Sequence, residues 1–271
     1  MSAAMTAPQR ARGRAHLVAK CRDGRSVIGD LAMSGSSKLL FPQTRGAMLD
    51  AVYLNSSGGV TGGDDFTMSA EALPGASLRL TTQAAERIYR AAPGAPGRVH
   101  AALRAGEGAS LTWLPQETIL FDGAALDRTL TVDLAKGARL LASEVLIFGR
   151  EAMGETVQDL HLRDRIDLRV SGKLVFADRL RLDGDTAATL AKQTVAGGAI
   201  ALASVLCAAP GIAEWLDALR AGLPATAGAS ALNDDLVFLR LLARDGFELR
   251  RCLVPLLTDL AGADLPRPWM L

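Results

Sequence analysis

The sequence predicts a mainly β fold, with layered or β-helix-like stacked sheets and a small helical C-terminal part. Three observations carry this. A Gly-Ala-x-Leu turn recurs at Gly75, Gly108 and Gly137, with a looser copy at Gly172, at spacings of roughly 30 residues. Each turn lies between segments in which apolar residues alternate with polar or small ones, the period of half-buried strands. Helical spacing enters only beyond Gly211.

In chain order, residues 1–15 form a basic, flexible N-terminus, and 16–271 a single domain. Its repetitive β region covers about residues 50–190, and a β-plus-helical part about 191–265. The segments preceding the turns are 66–71, 99–103, 130–134 and 166–170, and those following are 78–82, 111–114, 140–146 and 174–182. Glycine suits the turns because it reaches positive φ without a steric penalty. Units repeating at this length stack, each burying its apolar face on the next. Gln83 and Gln116 stand at the same distance beyond their turn glycines, so equivalent polar side chains are expected along one face. Residues 195–213 carry no charge, close to the length of a membrane span. Gly197, Gly198, Ser204, Pro210 and Gly211 interrupt them, which favours a buried strand followed by a helix start. Ile212, Trp215, Leu216 and Leu219 have helical spacing, residues 236–242 read as a strand, and 247–260 as a helix that Pro255 ends or kinks.

Composition excludes several classes. With 49% hydrophobic residues the chain is not disordered, and 30 Lys+Arg against 29 Asp+Glu leave no basic stripe for nucleic acid. Arg10, Arg12 and Arg14 interrupt any secretory signal. Cys21, Cys207 and Cys252 are too far apart for a zinc site or a disulfide framework. No GxSxG is present, and His16, His100 and His161 form no catalytic pattern. The Gly-rich segment Asn55 to Asp65 lacks the lysine of a phosphate-binding loop, and Asp64 and Asp65 would repel a phosphate. Two readings stay open for it: reverse turns leading into a strand, or a functional loop presenting Asp64. Acidic residues such as Glu117, Asp122, Glu144, Glu151 and Glu155 suit either a solvated surface or loose, transient contact with a divalent metal.

Four segments then carry a resemblance. Ser57-Gly58-Gly59-Val60-Thr61-Gly62-Gly63-Asp64 resembles the P-x-G-G-x-x-x-G-D segment of urease accessory proteins of the UreD (UreH) type, with Ser57 in place of proline. Leu80 to Tyr89 is similar to that family's L-T-T-Q-[AS]-x-x-[KR]-[IV]-Y motif, with Glu86 where a small or hydroxyl residue is common. Trp113 to Phe121 resembles L-P-[DQE]-x-x-I-x-F, and Gly149 to Glu155 resembles G-R-x-A-x-G-E. The four stand in family order over about 100 residues.

The resemblance implies a cytoplasmic, non-catalytic accessory protein with no tightly bound cofactor and no nucleic-acid or membrane partner. It implies binding to apo-urease subunits and to a UreF-type partner, which recruits a UreG-type GTPase, with nickel in transit to the urease site. On motif position, Asp64 and Glu117 are expected along a polar metal route. Gly62, Gly63, Gln83, Arg87, Tyr89 and Arg150 are expected to fix loops or contact partners. The alternative is a β-rich ligand-binding or hydrolase domain unrelated to urease.

Overall fold

The computed structural model describes residues 9–43 and 46–270. Strand β1 (Arg12–Arg22) turns back at Asp23 and Gly24, both at positive φ, into the antiparallel β2 (Arg25–Gly35). Strands β3 (Ser37–Leu40) and β4 (Leu49–Asn55) cross to a second sheet. The repeat follows as β5 (Asp65–Ala72), β6 (Ser77–Thr82) and β7 (Glu86–Ile88), then β8 (Gly97–Ala105), β9 (Ser110–Leu114) and β10 (Thr118–Leu120), then β11 (Ala124–Leu134) and β12 (Arg139–Phe148). Strands β13 (Asp159–Val170) and β14 (Lys173–Asp185), helix α1 (Thr186–Ala191) and β15 (Ala201–Ala208) come next. Helix α2 (Leu216–Ala221), β16 (Ala227–Asn233), β17 (Leu236–Ala243) and α3 (Gly246–Ala261) complete the order.

The strands form two facing sheets. One has seven strands in the order β14-β13-β11-β8-β5-β1-β2. The other has ten, running β16-β17-β15-β12-β9-β6-β4-β3, with β10 joining β12 to β7. Within the repeat, like strands pair in parallel, β5 with β8, β8 with β11, and β6 with β9. The stacked-strand expectation is met, and the Gly-Ala-x-Leu turn explains it. Each glycine takes positive φ (71°, 65° and 75° at Gly75, Gly108 and Gly137) to send the chain from one sheet to the other. The following alanines, Ala76, Ala109 and Ala138, tuck inside the corner, and Leu78, Leu111 and Leu140 stack in the core. The hydrogen-bond ladder runs on through the corners, with Ser110 N donating to Ala76 O (2.9 Å) and Arg139 N to Ala109 O (2.9 Å).

The fourth copy behaves differently. Ser171 and Gly172 both have positive φ and close a two-residue hairpin, so β14 folds back antiparallel to β13 in the same sheet. Without an alanine to fill a corner, this turn ends the stack.

Other expectations change in detail. Arg12 to Ala15 are not a flexible tail, because β1 is hydrogen-bonded between β2 and β5; residues 1–8 lie outside the described residues. Gln83 is exposed while Gln116 is buried, so the two do not share an environment. Trp215 is 57% exposed, because the chain from Ile212 to Trp215 is a tighter 3-10 turn that rotates it out of the helical face. Pro255 does not end α3, which continues to Ala261. It lies on the exposed side, where the carbonyl left without a donor can be hydrated. Asp245 caps α3 by accepting from Glu248 N (2.6 Å), and Gly262 closes it at positive φ. Leu249, Leu253 and Leu257 seat the helix on the outer face of the ten-stranded sheet.

Candidate functional site

The motif segments meet at one end of the stack. Asp64 is buried, and its two carboxylate oxygens accept from Ala11 N (2.8 Å) and Thr61 N (2.9 Å). It ties the Gly-rich loop to the start of β1. The loop's tightest point is Gly59, at φ +150°, where an added Cβ would stand 2.4 Å from the Tyr89 ring and 2.7 Å from Arg87 O. Gly59→Ala is therefore expected to cost about 1–3 kcal/mol by forcing the Tyr89 segment aside, read as a fall in thermal midpoint. Gly62 is also closely packed, with its hypothetical Cβ 2.9 Å from Ala91 Cβ, and Gly63 needs φ +85°.

Tyr89 donates to Gly58 O (3.1 Å) and meets Phe121 edge-on at 5.2 Å. The Arg150 guanidinium lies 4.3 Å from the centre of the Phe121 ring and forks onto Glu155 (Nε to Oε2, 2.9 Å; Nη2 to Oε1, 3.0 Å). That fork holds the Glu155 carboxyl below its ordinary range. Arg90 pairs with Asp122, which also accepts from the backbone of Asp159 and Gln158; these bonds, the Asp159 one foremost, lower its pKa. Tyr89 and Arg150, two of the expected residues, thus share one surface cluster with Phe121 and Glu155.

The other expected residues lie apart from that cluster. The Glu117 carboxylate pairs with Arg250 (2.7 Å), which also donates to Gln116 Oε1 (3.2 Å) and Trp269 O (2.8 Å), fastening the loop after β9 to α3 and the C-terminal turn. Gln83 and Arg87 are exposed and line an outer cleft of about 180 Å³ with Tyr53, Asn55, Thr82 and Glu86.

Between the sheets lies a smaller chamber of about 70 Å³. Phe66, Met68, Ile88, Trp113 and Leu126 supply apolar walls, and Glu86, Gln116, Thr118, Arg128 and Glu144 supply polar ones. At its inner end Arg128 is buried. Its Nε and Nη2 fork onto Asp164 (2.9 and 2.7 Å), and its Nη1 reaches Glu144 (2.7 Å) and Thr118 (2.9 Å). Trp113 Nε1 donates to Glu144 Oε1 (2.7 Å). Burial pushes the Glu144 carboxyl up, against the pull of Arg128. At the outer end Glu86 is raised to about 7 by burial, against hydrogen bonds from Asn55 and Arg87. Gln116 turns Oε1 to the donors of Arg250, leaving its Nε2 buried without a protein partner. Among the described residues, no three His, Cys, Asp or Glu side chains are grouped to hold a metal tightly.

Known proteins with similar sequences decide what this arrangement belongs to. The family described as UreD urease accessory protein matches residues 11–270. The chain belongs to the UreD family. A urease accessory protein UreD of Rhizobium johnstonii is 46% identical over 273 residues, which span 100% of this chain and 99% of the relative. UreD proteins of Ruegeria sp. and Roseobacter denitrificans are 47% and 45% identical, each over 97% of this chain and over 92% and 96% of their own lengths. In this UreD-family chain, the sequence motifs mark loop anchors and one surface cluster. The buried Arg128–Glu144–Asp164 group and Arg250 carry no motif of their own. A signal for Arg128 and Asp164 was nevertheless present: each stands in the apolar phase of an alternating strand, between Leu126 and Leu130 and between Leu162 and Ile166.

Proposed function

We propose that the protein is a non-catalytic, cytoplasmic scaffold for maturation of the urease nickel centre. It binds apo-urease and a UreF-type partner and helps nickel pass from a UreG-type GTPase to the urease site. Membership of an accessory family along almost the whole chain is the observation that carries this reading. Among the described residues no helix is long and apolar enough to cross a membrane.

Nickel is cargo here, so weak and exchangeable contacts suit it better than a tight ligand set. Glu86, at the outer end of the chamber, is the carboxyl we assign to such a route. Asp64 and Glu117 serve it by holding the loops around it, since both carboxylates already have internal partners. Tyr89 and Arg150, both exposed and braced on the buried Phe121 ring, offer a rigid aromatic and cationic surface to a partner.

The test is co-purification with urease subunits and with UreF-type and UreG-type proteins, alongside nickel-dependent urease activity with and without this chain. A complex, with activation lost on deletion, is expected. Unchanged activation without the chain would return the molecule to the β-rich binding or hydrolase class.

A further inference from the structure

The two sheets do not end together. At the β14 end of the stack, β14 faces β17, with Phe176 against Phe238 (ring centres 4.9 Å apart) and Asp178 paired with Arg240. The ten-stranded sheet then runs one strand further, to β16, whereas among the described residues β14 pairs with β13 alone. The face of β16 that continues Phe238 and Arg240 is set by their register partners, Ser230 and Gly228. Both are exposed, and nothing stands within 4 Å of where a Gly228 Cβ would be. The opposite face is covered, because Ala229 is buried in the cluster that includes Leu219 of α2. We infer that the free edge of β14 is a docking site for one extended strand of a partner protein, apolar on the side toward β16 and acidic on the side toward solvent. The inference goes beyond the maturation reading above and does not depend on it.

Backbone geometry supplies the first argument. Every second residue of an edge strand turns its N–H and C=O away from its neighbour, and the 13 residues of β14 include no proline to interrupt that row. A strand added there at the usual spacing of about 4.8 Å would lie over β16. Glycine and serine on that face of β16 leave room for large apolar side chains.

Charge supplies the second argument and selects the occupant. On the outer face of the seven-stranded sheet, Arg12, Asp65, Arg98, Asp127, Arg163 and Arg181 are register partners in that order, from β1 across to β14. The signs alternate until the last pair, where two arginines stand side by side. In the next row of that face Arg165 stands beside Arg179 in the same way. Like charges in directly opposed positions are unfavourable. Asp167 holds Arg179, while Arg181 meets the exposed Asp183 of its own strand. Acidic residues on an added strand would restore the alternation. A second copy of this chain, pairing through the same edge, would set basic side chains against basic ones, so the partner is a different protein.

The experiment uses two ten-residue probe peptides, one alternating Glu and Val and the other alternating Lys and Val. Each is titrated onto the full chain at pH 7, with affinity read by fluorescence anisotropy and amide exchange by mass spectrometry. The Glu–Val peptide is expected to slow exchange across residues 173–185 and to bind about tenfold more tightly than the Lys–Val peptide. Gly228→Phe occupies the space over β16 without meeting a neighbour, and is expected to weaken that binding about tenfold with no fall in thermal midpoint. Arg181→Glu, at an exposed position, is a second variant and should bring the two peptides to about equal affinity. No protection of residues 173–185, equal binding of the two peptides by wild type, or unchanged preference in Arg181→Glu would overturn the inference. So would full binding by Gly228→Phe, or a dimer of the free chain with β14 already protected, which would make a second copy the occupant. Urease activation on deleting the chain judges the maturation reading separately, so either can fail alone.

Discussion

Arg128→Met is expected to destabilise the protein by about 3–5 kcal/mol, with a fall in thermal midpoint on the order of 10 °C. The guanidinium is buried with two carboxylates, and removing it leaves Glu144 and Asp164 facing each other without a cation. Methionine fills much of the space, so the loss reports the uncompensated charge rather than a cavity. The pH dependence has a definite sign. Burial already raises the Glu144 pKa and Arg128 holds it back, so removing Arg128 raises it further. A carboxyl whose folded pKa exceeds its unfolded value contributes stability that is present at low pH and lost as pH rises through the folded pKa. The deficit of Arg128→Met should therefore be smaller at pH 5 than at pH 8. Adding Glu144→Gln and Asp164→Asn should recover part of it at pH 8. Equal deficits at both pH values would mean that buried charge is not the cause.

Asp64→Ala should cost about 2–4 kcal/mol, because it deletes the acceptor for two backbone donors, Ala11 N and Thr61 N. Asp64→Asn should rescue little. Both wild-type oxygens are accepting, and the amide would set its own N–H₂ against one of those donors. The expected signature is faster hydrogen exchange at the Ala11 and Thr61 amides together with the lowered thermal midpoint. A metal-ligand role predicts a different outcome, namely normal stability and exchange with impaired nickel-dependent urease activation. The two readouts separate a carboxylate that holds a loop from one that holds nickel.

Asp64 also shows how far motif position carries an inference. The motif singled out the residue, but its partners are backbone groups at Ala11 and Thr61, the first 53 positions away. Spacing within a motif does not report which way a carboxylate turns. Glu117 is similar: its partner Arg250 is 133 positions distant and lies in no recognised segment. Arg128 and Asp164 were more legible than they first look. Polar side chains in the apolar phase of two neighbouring strands must either pair or break the strands. The register places them directly opposite each other. Glu86 was visible only as a departure from the motif. Its raised pKa depends on packing between cleft and chamber, which no local pattern encodes.

Sequence pattern alone set the strands flanking the repeat turns, three of the corners and the family. Alternation sets which side chains face inward, and each Gly-Ala corner combines a positive-φ glycine with an alanine small enough to fit inside the bend, all within four or five residues of chain. Tertiary structure decided where the stack stops, which carboxylates are tied up and where a chamber remains. Those outcomes depend on groups from strands 30 or more positions apart, and on a C-terminal helix whose Arg250 crosses to Glu117. A hydrogen bond or a burial penalty acts only between groups that the completed fold has brought together.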